Sequence, residues 1–213
     1  MIAPQEHEYS IMGGANRANV GRMLSLAASS ISAGLVFIVL SLVNLAEKLG
    51  WNVNLPPMLM SLLGAGMVFT VLYWVLDRWL WKLSWVGKYL KVPDLSGTWT
   101  CEGKTYPTDD SQEVYWKGTV TIVQSWDKLR IHLRTETSYS DSIAAAMAYD
   151  SVDGYVVLYH YANFPLPPLT ELKHHKGCCF LTVGKDLKSA VGEYFNGQGR
   201  TSSGTMTWTK TDQ

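Results

Sequence analysis

Residues 24–46 read LSLAASSISAGLVFIVLSLVNLA and residues 55–76 read LPPMLMSLLGAGMVFTVLYWVL; neither run carries a charge, and only the polar stretch 47–54 parts them. At about 1.5 Å of rise per helical residue, each is long enough to cross a hydrocarbon core about 30 Å thick. No helical partner follows that could bury two such faces in a soluble core. The pair therefore predicts a two-helix transmembrane hairpin over residues 23–77, and the rest of the chain is divided around it: a tail at 1–22, an aromatic-basic linker at 78–93 and a separate domain at 94–213.

Cations flank the hairpin unevenly. Arg17 and Arg22 precede it and Arg78, Lys82, Lys88 and Lys91 follow it, whereas Lys48 stands alone in the turn. Lys and Arg near membrane segments stay on the cytoplasmic side, so both termini are expected there. The tail, with Glu6, Glu8 and Gly13-Gly14, lacks the basic and apolar regions of a signal peptide and any apolar period; it reads as a mobile cytoplasmic segment, with the first helix as its own insertion signal. Small residues (Ser25, Ala28, Ser29, Ser32, Ala33 and Ser41 in the first run, Ser61, Gly64, Ala65, Gly66 and Thr70 in the second) make faces on which helices approach closely. Such faces either seal the hairpin or join neighbouring chains. In the linker, Trp79, Trp81, Trp85 and Tyr89 alternate with cations, which predicts that the second helix continues along the inner membrane surface.

Beyond Pro93-Asp94 the pattern changes to alternation. Eight extended runs are delimited by turn residues, at about 96–102, 116–125, 128–135, 139–148, 155–163, 177–183, 188–195 and 204–210. Leu129, Ile131 and Leu133 share one face, with Arg130, His132 and Arg134 on the other. The alanine-rich stretch 143–148 is the exception, since it would suit a helix by propensity. Sequential strands with short connections favour an antiparallel up-and-down barrel, in which closure removes exposed edges. The predicted fold is thus a membrane protein with two N-terminal transmembrane α-helices followed by an all-β, roughly eight-stranded antiparallel barrel of lipocalin or streptavidin type. A barrel of that size is filled by side chains or holds one small ligand.

The chemistry of the β domain points to binding. It holds eleven Lys and Arg against fourteen Asp and Glu, a net charge of −3, which argues against a nucleic-acid polymer as partner. Three cysteines without a CxxC spacing signal neither a disulfide framework nor a zinc site. His174-His175 and Cys178-Cys179 are adjacent pairs on strands, so their members point to opposite faces and cannot converge on a metal. Asp109-Asp110 reads as a solvated turn. No nucleophile, metalloprotease or phosphate-loop motif is present, so neither a catalytic residue nor a cofactor is assigned. Tyr159, Tyr161 and Asn163 fall on one face of a strand, and Tyr194 and Trp208 lie on the last two strands, joined by a loop carrying Arg200. Aromatic rings stack on bases and a guanidinium grips phosphate, so these six are the candidate ligand-binding residues, with core packing as the alternative for each. Hydroxyls of Thr135, Thr137, Ser138, Ser140 and Ser142 lie nearby, facing either the barrel interior or its outside.

Behind two apolar helices and an aromatic-basic linker, the barrel opens with Leu95-Ser96-Gly97-Thr98-Trp99. It closes with Gly192-Glu193-Tyr194-Phe195-Asn196-Gly197-Gln198-Gly199-Arg200-Thr201 and Gly204-Thr205-Met206. The combination resembles the two-transmembrane β-strand-rich effectors of bacterial cyclic-oligonucleotide anti-phage systems (CBASS). The Gly-x-Trp opening is also similar to that of lipocalins and streptavidin. The first resemblance implies a receptor and effector in one chain: a nucleotidyltransferase makes a cyclic dinucleotide on infection, the barrel binds it, chains self-associate into oligomers, and the helices disrupt the lipid bilayer of the bacterial inner membrane. It supplies no pocket signature, so the six candidate residues rest on their chemistry. Two other readings stand: a membrane-tethered lipocalin-like barrel for a small apolar ligand, with Arg200 facing water, and a membrane-bound enzyme with carboxylates or histidines inside the barrel.

Overall fold

The computed structural model describes residues 5–54, 56–107, 112–167, 174–197 and 201–211. They form two compact units: a helical one, Ala15–Leu80, and a β one, in which Met1–Gly14 joins Trp81–Gln213.

In the helical unit, the Asn16 side chain accepts the Ala18 amide at 2.8 Å and starts α1, Arg17–Lys48. It is the one helix among the described residues long and apolar enough to cross a membrane. The second apolar run departs from expectation. It is broken at Leu63-Gly64 into α2, Pro57–Leu62, and α3, Ala65–Arg78. Gly64 is extended (φ −62°, ψ 146°), a conformation favoured by its low helix propensity. With 14 residues, α3 spans only about 21 Å. The break frees the Leu63 carbonyl, which accepts the hydroxyl of Ser32 from α1. Part of the small-residue face therefore acts within the chain, where α1 packs on α3.

The β unit contains the expected meander: β2 (Gly97–Pro107), β3 (Val114–Gln124), β4 (Lys128–Thr135), β5 (Ser138–Asp150), β6 (Gly154–Pro165), β7 (His175–Val183), β8 (Ser189–Asn196) and β9 (Ser202–Lys210). Neighbours pair antiparallel, and β2 against β9 closes the barrel. The alanine-rich run lies inside β5. Paired on both sides, it gains more from the ladder than from its helix propensity, with an irregularity at Ser142/Ala144.

A ninth strand corrects the mobile-tail expectation. β4 and β5 pair only across His132–Arg134 and Tyr139–Asp141, then diverge. β1, His7–Met12, fills the gap, with His7 and Glu8 antiparallel to β4 and Tyr9 to Met12 parallel to Ala145 to Ala148 of β5. Tyr9 is buried, its hydroxyl donating to the Ser125 carbonyl at 3.2 Å, and His7 Nε2 lies 2.7 Å from Ser142 Oγ. Beyond β1, the Lys91 ammonium donates to the Gly13 carbonyl at 2.8 Å, and a Cβ on Gly14 would meet the Leu90 carbonyl at 2.8 Å. Both chain passages of the β unit are thus tied at one point.

The linker is also not the continuous helix expected. After a 3-10 turn at Leu80–Lys82, α4 covers Ser84–Leu90. Trp81, Leu90 and Val92 are buried, while Trp79, Trp85 and Tyr89 are exposed. Gln124 secures the chain entering the barrel, accepting the Leu95 amide and donating to the Pro93 carbonyl, each at 2.9 Å. The half of the barrel nearest this entry is filled by Trp99, Trp126, Trp208, Leu129, Met147 and Leu181, all at most 1% exposed.

Candidate ligand-binding site

The other half is open. At the end where β2 leads to β3, β4 to β5, β6 to β7 and β8 to β9, the lumen widens into a cavity of about 690 Å³. Because strand residues alternate, β6 turns Tyr159, Tyr161 and Asn163 into it, β5 contributes Ser138 and Ser140, and β8 contributes Tyr194 and Asn196. Four predicted site residues, Tyr159, Tyr161, Asn163 and Tyr194, therefore come together. Trp208 does not line the cavity. It lies beneath, its ring centroid 6.2 Å from that of Tyr159 and edge-on to Trp99, and its indole N–H points at Met206 Sδ, 3.0 Å away. Its role is the floor. Arg200 and Asp109-Asp110 lie outside the described residues.

Two hydrogen-bonded clusters orient the walls. In one, Thr105 Oγ1 and Tyr194 OH are 2.5 Å apart and the Trp116 indole N–H reaches both, at 3.1 and 3.2 Å. In the other, Tyr161 OH donates to Asn196 Oδ1 at 2.8 Å and Asn196 Nδ2 donates to Ser202 Oγ at 2.9 Å. Asn163 Nδ2 donates to Ser138 Oγ at 3.2 Å. Of the hydroxyls left open by sequence, Ser138 and Ser140 line the cavity, whereas Ser142 is engaged by the Ile131 amide and His7.

Sequence reasoning missed Thr105, Trp116, His175 and Asn196, because a single Thr or Trp on an alternating strand carries no mark of its face. Glycines were the available signal. A Cβ at Gly103 would lie 2.1 Å from the Trp116 ring, at Gly177 2.4 Å from Tyr161 OH and at Gly204 2.6 Å from Tyr194 OH. Aromatic rings lie flat over these strand glycines, and that keeps the lumen open.

Electrostatically the interior is neutral. Fixed charges on the lining are Glu102, Lys117 and Glu136; Glu102 and Lys117 form an exposed ion pair at 2.6 Å. Burial holds the Tyr159 phenol well above its ordinary range, so it remains protonated. The adjacent cysteines split as strand geometry requires: Cys179 is buried against Tyr159 and Cys178 is partly exposed. Burial pushes the Cys101 and Cys179 thiols up to about 12. Two outcomes are expected. In the native protein, alkylation at about pH 8 modifies Cys178 and spares Cys101 and Cys179, as mass spectrometry would show. Stability is full below about pH 9 and falls as pH rises toward about 12, because the unfolded chain releases thiol protons that the folded one keeps. Urea midpoints at about pH 8 and pH 10.5 check it.

Comparison with known proteins bears on this geometry. Residues 90–210 match the family described as "Cap15, cyclic dinucleotide receptor domain", and residues 18–82 match "Cap15, TM helices". The chain is 41% identical over 206 residues to CD-NTase-associated protein 15 of Yersinia aleksiciae, covering 97% of this chain and 98% of that one. The receptor match covers β2 to β9 and all the cavity-lining residues but not β1, and the transmembrane match covers nearly all of the helical unit. The chain therefore belongs to the Cap15 family, the CBASS-associated proteins in which transmembrane helices precede a cyclic dinucleotide receptor domain.

Proposed function

We propose that the open end of the barrel binds a cyclic dinucleotide made on infection, and that binding drives chains to associate so that their helices disrupt the inner membrane and kill the infected cell. The cavity carries this reading: its walls combine aromatic faces for stacking with amides and hydroxyls suited to base edges, inside the segment that matches the receptor domain. An apolar ligand is less well served. Apolar side chains do dominate one half of the lumen, but that half is filled, and the open half sets Asn, Ser, Thr and Tyr beside Trp116, Leu133 and Met206. Arg200 remains the proposed phosphate contact, since it lies between Asn196, which lines the cavity, and Ser202 at the start of β9.

A ligand drives association only by binding the associated form more tightly. The outer face of β7 and β8 supplies a contact surface for that form, with Phe180, Val191 and Phe195 at least half exposed. In the membrane, α1 makes one pass and α2 with α3 the return, leaving both termini cytoplasmic. The test is inducible expression in bacteria with and without a cyclic-dinucleotide synthase, following growth and dye entry. Growth arrest and dye entry are expected only with the synthase. Toxicity that ignores it, or its absence with every active synthase, contradicts the reading.

A further inference from the structure

Resting on the nucleotide reading, we infer that a cyclic dinucleotide enters this cavity by one nucleobase only, and that this base is selected by Asn163 and Ser140 while both phosphodiesters and the second base stay at the mouth. A cyclic dinucleotide carries two phosphodiester anions, and each needs a cation or water. Among the described lining residues the only Lys or Arg is Lys117, and because its neighbour Trp116 faces the lumen, its ammonium lies on the outer face of β3, paired with Glu102. Deeper in, the lining holds no Lys, Arg, Asp or Glu: Thr105, Ser140, Tyr159, Tyr161, Tyr194 and Met206, with His175 buried among the lining residues. Carrying an unpaired anion into such surroundings costs several kcal/mol. A base carries no charge and exchanges its water for stacking on aromatic faces and for hydrogen bonds to its edge.

Width gives the same answer. At the open end β4 pairs directly with β5, so eight strands surround the lumen, a width that admits one small ligand, and the glycine notches open it by letting Tyr161, Tyr194 and Trp116 lie against the wall. Tyr159, tilted 49° from Tyr161 with 5.9 Å between ring centroids, limits its depth. Two residues nearer the open end than Tyr161, which pairs with Ser142, β5 and β6 place Ser140 directly opposite Asn163, so a hydroxyl and an amide face one base edge together.

One-base entry has a consequence that two-base recognition lacks. A hybrid ligand with one favoured and one disfavoured base can always present the favoured one, losing only one of two equivalent orientations. The full chain in phosphatidylcholine nanodiscs would be titrated calorimetrically with cyclic dinucleotides of every combination of purine and pyrimidine bases. The two same-base ligands that differ most are expected to differ by at least about tenfold in Kd, and their hybrid to bind within about twofold of the tighter one. Asn163→Ala should narrow the spread among bases and leave salt dependence intact. A hybrid about midway between its parents on a logarithmic scale overturns one-base entry, and equal binding of all bases overturns selection by Asn163 and Ser140. If nothing in the panel binds, the nucleotide reading itself falls and takes this inference with it, a result distinct from either.

Discussion

Tyr9→Ala is expected to destabilise the β unit by about 3 kcal/mol, lowering its melting temperature by about 10 °C. Tyr9 is 3% exposed, and its removal leaves a cavity in the barrel wall and strands the Ser125 carbonyl. A residue of a mobile tail would change stability by no more than about 0.5 kcal/mol, so thermal melting of the β-unit signal separates the alternatives sharply. Tyr9→Phe isolates the hydrogen bond and should cost about 1 kcal/mol. β1 runs through Gly13-Gly14 toward α1, and it lies beside β5, the strand that presents Ser138 and Ser140 to the cavity.

Gly103→Ala is expected to weaken cyclic dinucleotide binding by at least about tenfold. The three atoms nearest the new methyl, at 2.1 to 2.7 Å, all belong to the Trp116 ring. Relief therefore comes from the ring and not from the strands. To move, the indole gives up its bonds to Thr105 and Tyr194, and the free direction is into the lumen. The fold should survive with an overpacking cost of about 1–3 kcal/mol. Pairing the substitution with Trp116→Leu restores room, so the double variant should regain affinity relative to Gly103→Ala alone. Isothermal titration of the single and double variants checks both, and a double variant no better than the single contradicts the notch.

The eight-stranded meander was legible because each strand alternates and turn residues separate neighbours; the predicted limits fall within a few residues of those observed. Alternation also placed Tyr159, Tyr161 and Asn163 on one face, but it could not say how deep along the lumen a residue lies. That is why Trp208, on the right face, proved to be floor. β1 escaped for a different reason. HEYSIM alternates in burial, but its partners, β4 antiparallel and β5 parallel, are more than a hundred residues away, a pairing no local pattern announces. In the second apolar run, hydropathy is blind to a single Gly64 that breaks the helix, although the small-residue face that bonds there, through Ser32, was visible. The glycines under the aromatic rings were visible too, and only the fold pairs Gly103 with Trp116 across β2 and β3.

The most direct test of the central claim, that the open end of the barrel is the nucleotide site, is photo-crosslinking of the full chain in nanodiscs with azido-purine and azido-pyrimidine cyclic dinucleotides, mapped by mass spectrometry. Adducts are predicted on the peptides carrying Tyr159 to Asn163 and Tyr194 to Asn196, suppressed by unlabelled ligand. Competable adducts confined to the outer face around Phe180 and Phe195, or none with any analogue, would contradict it.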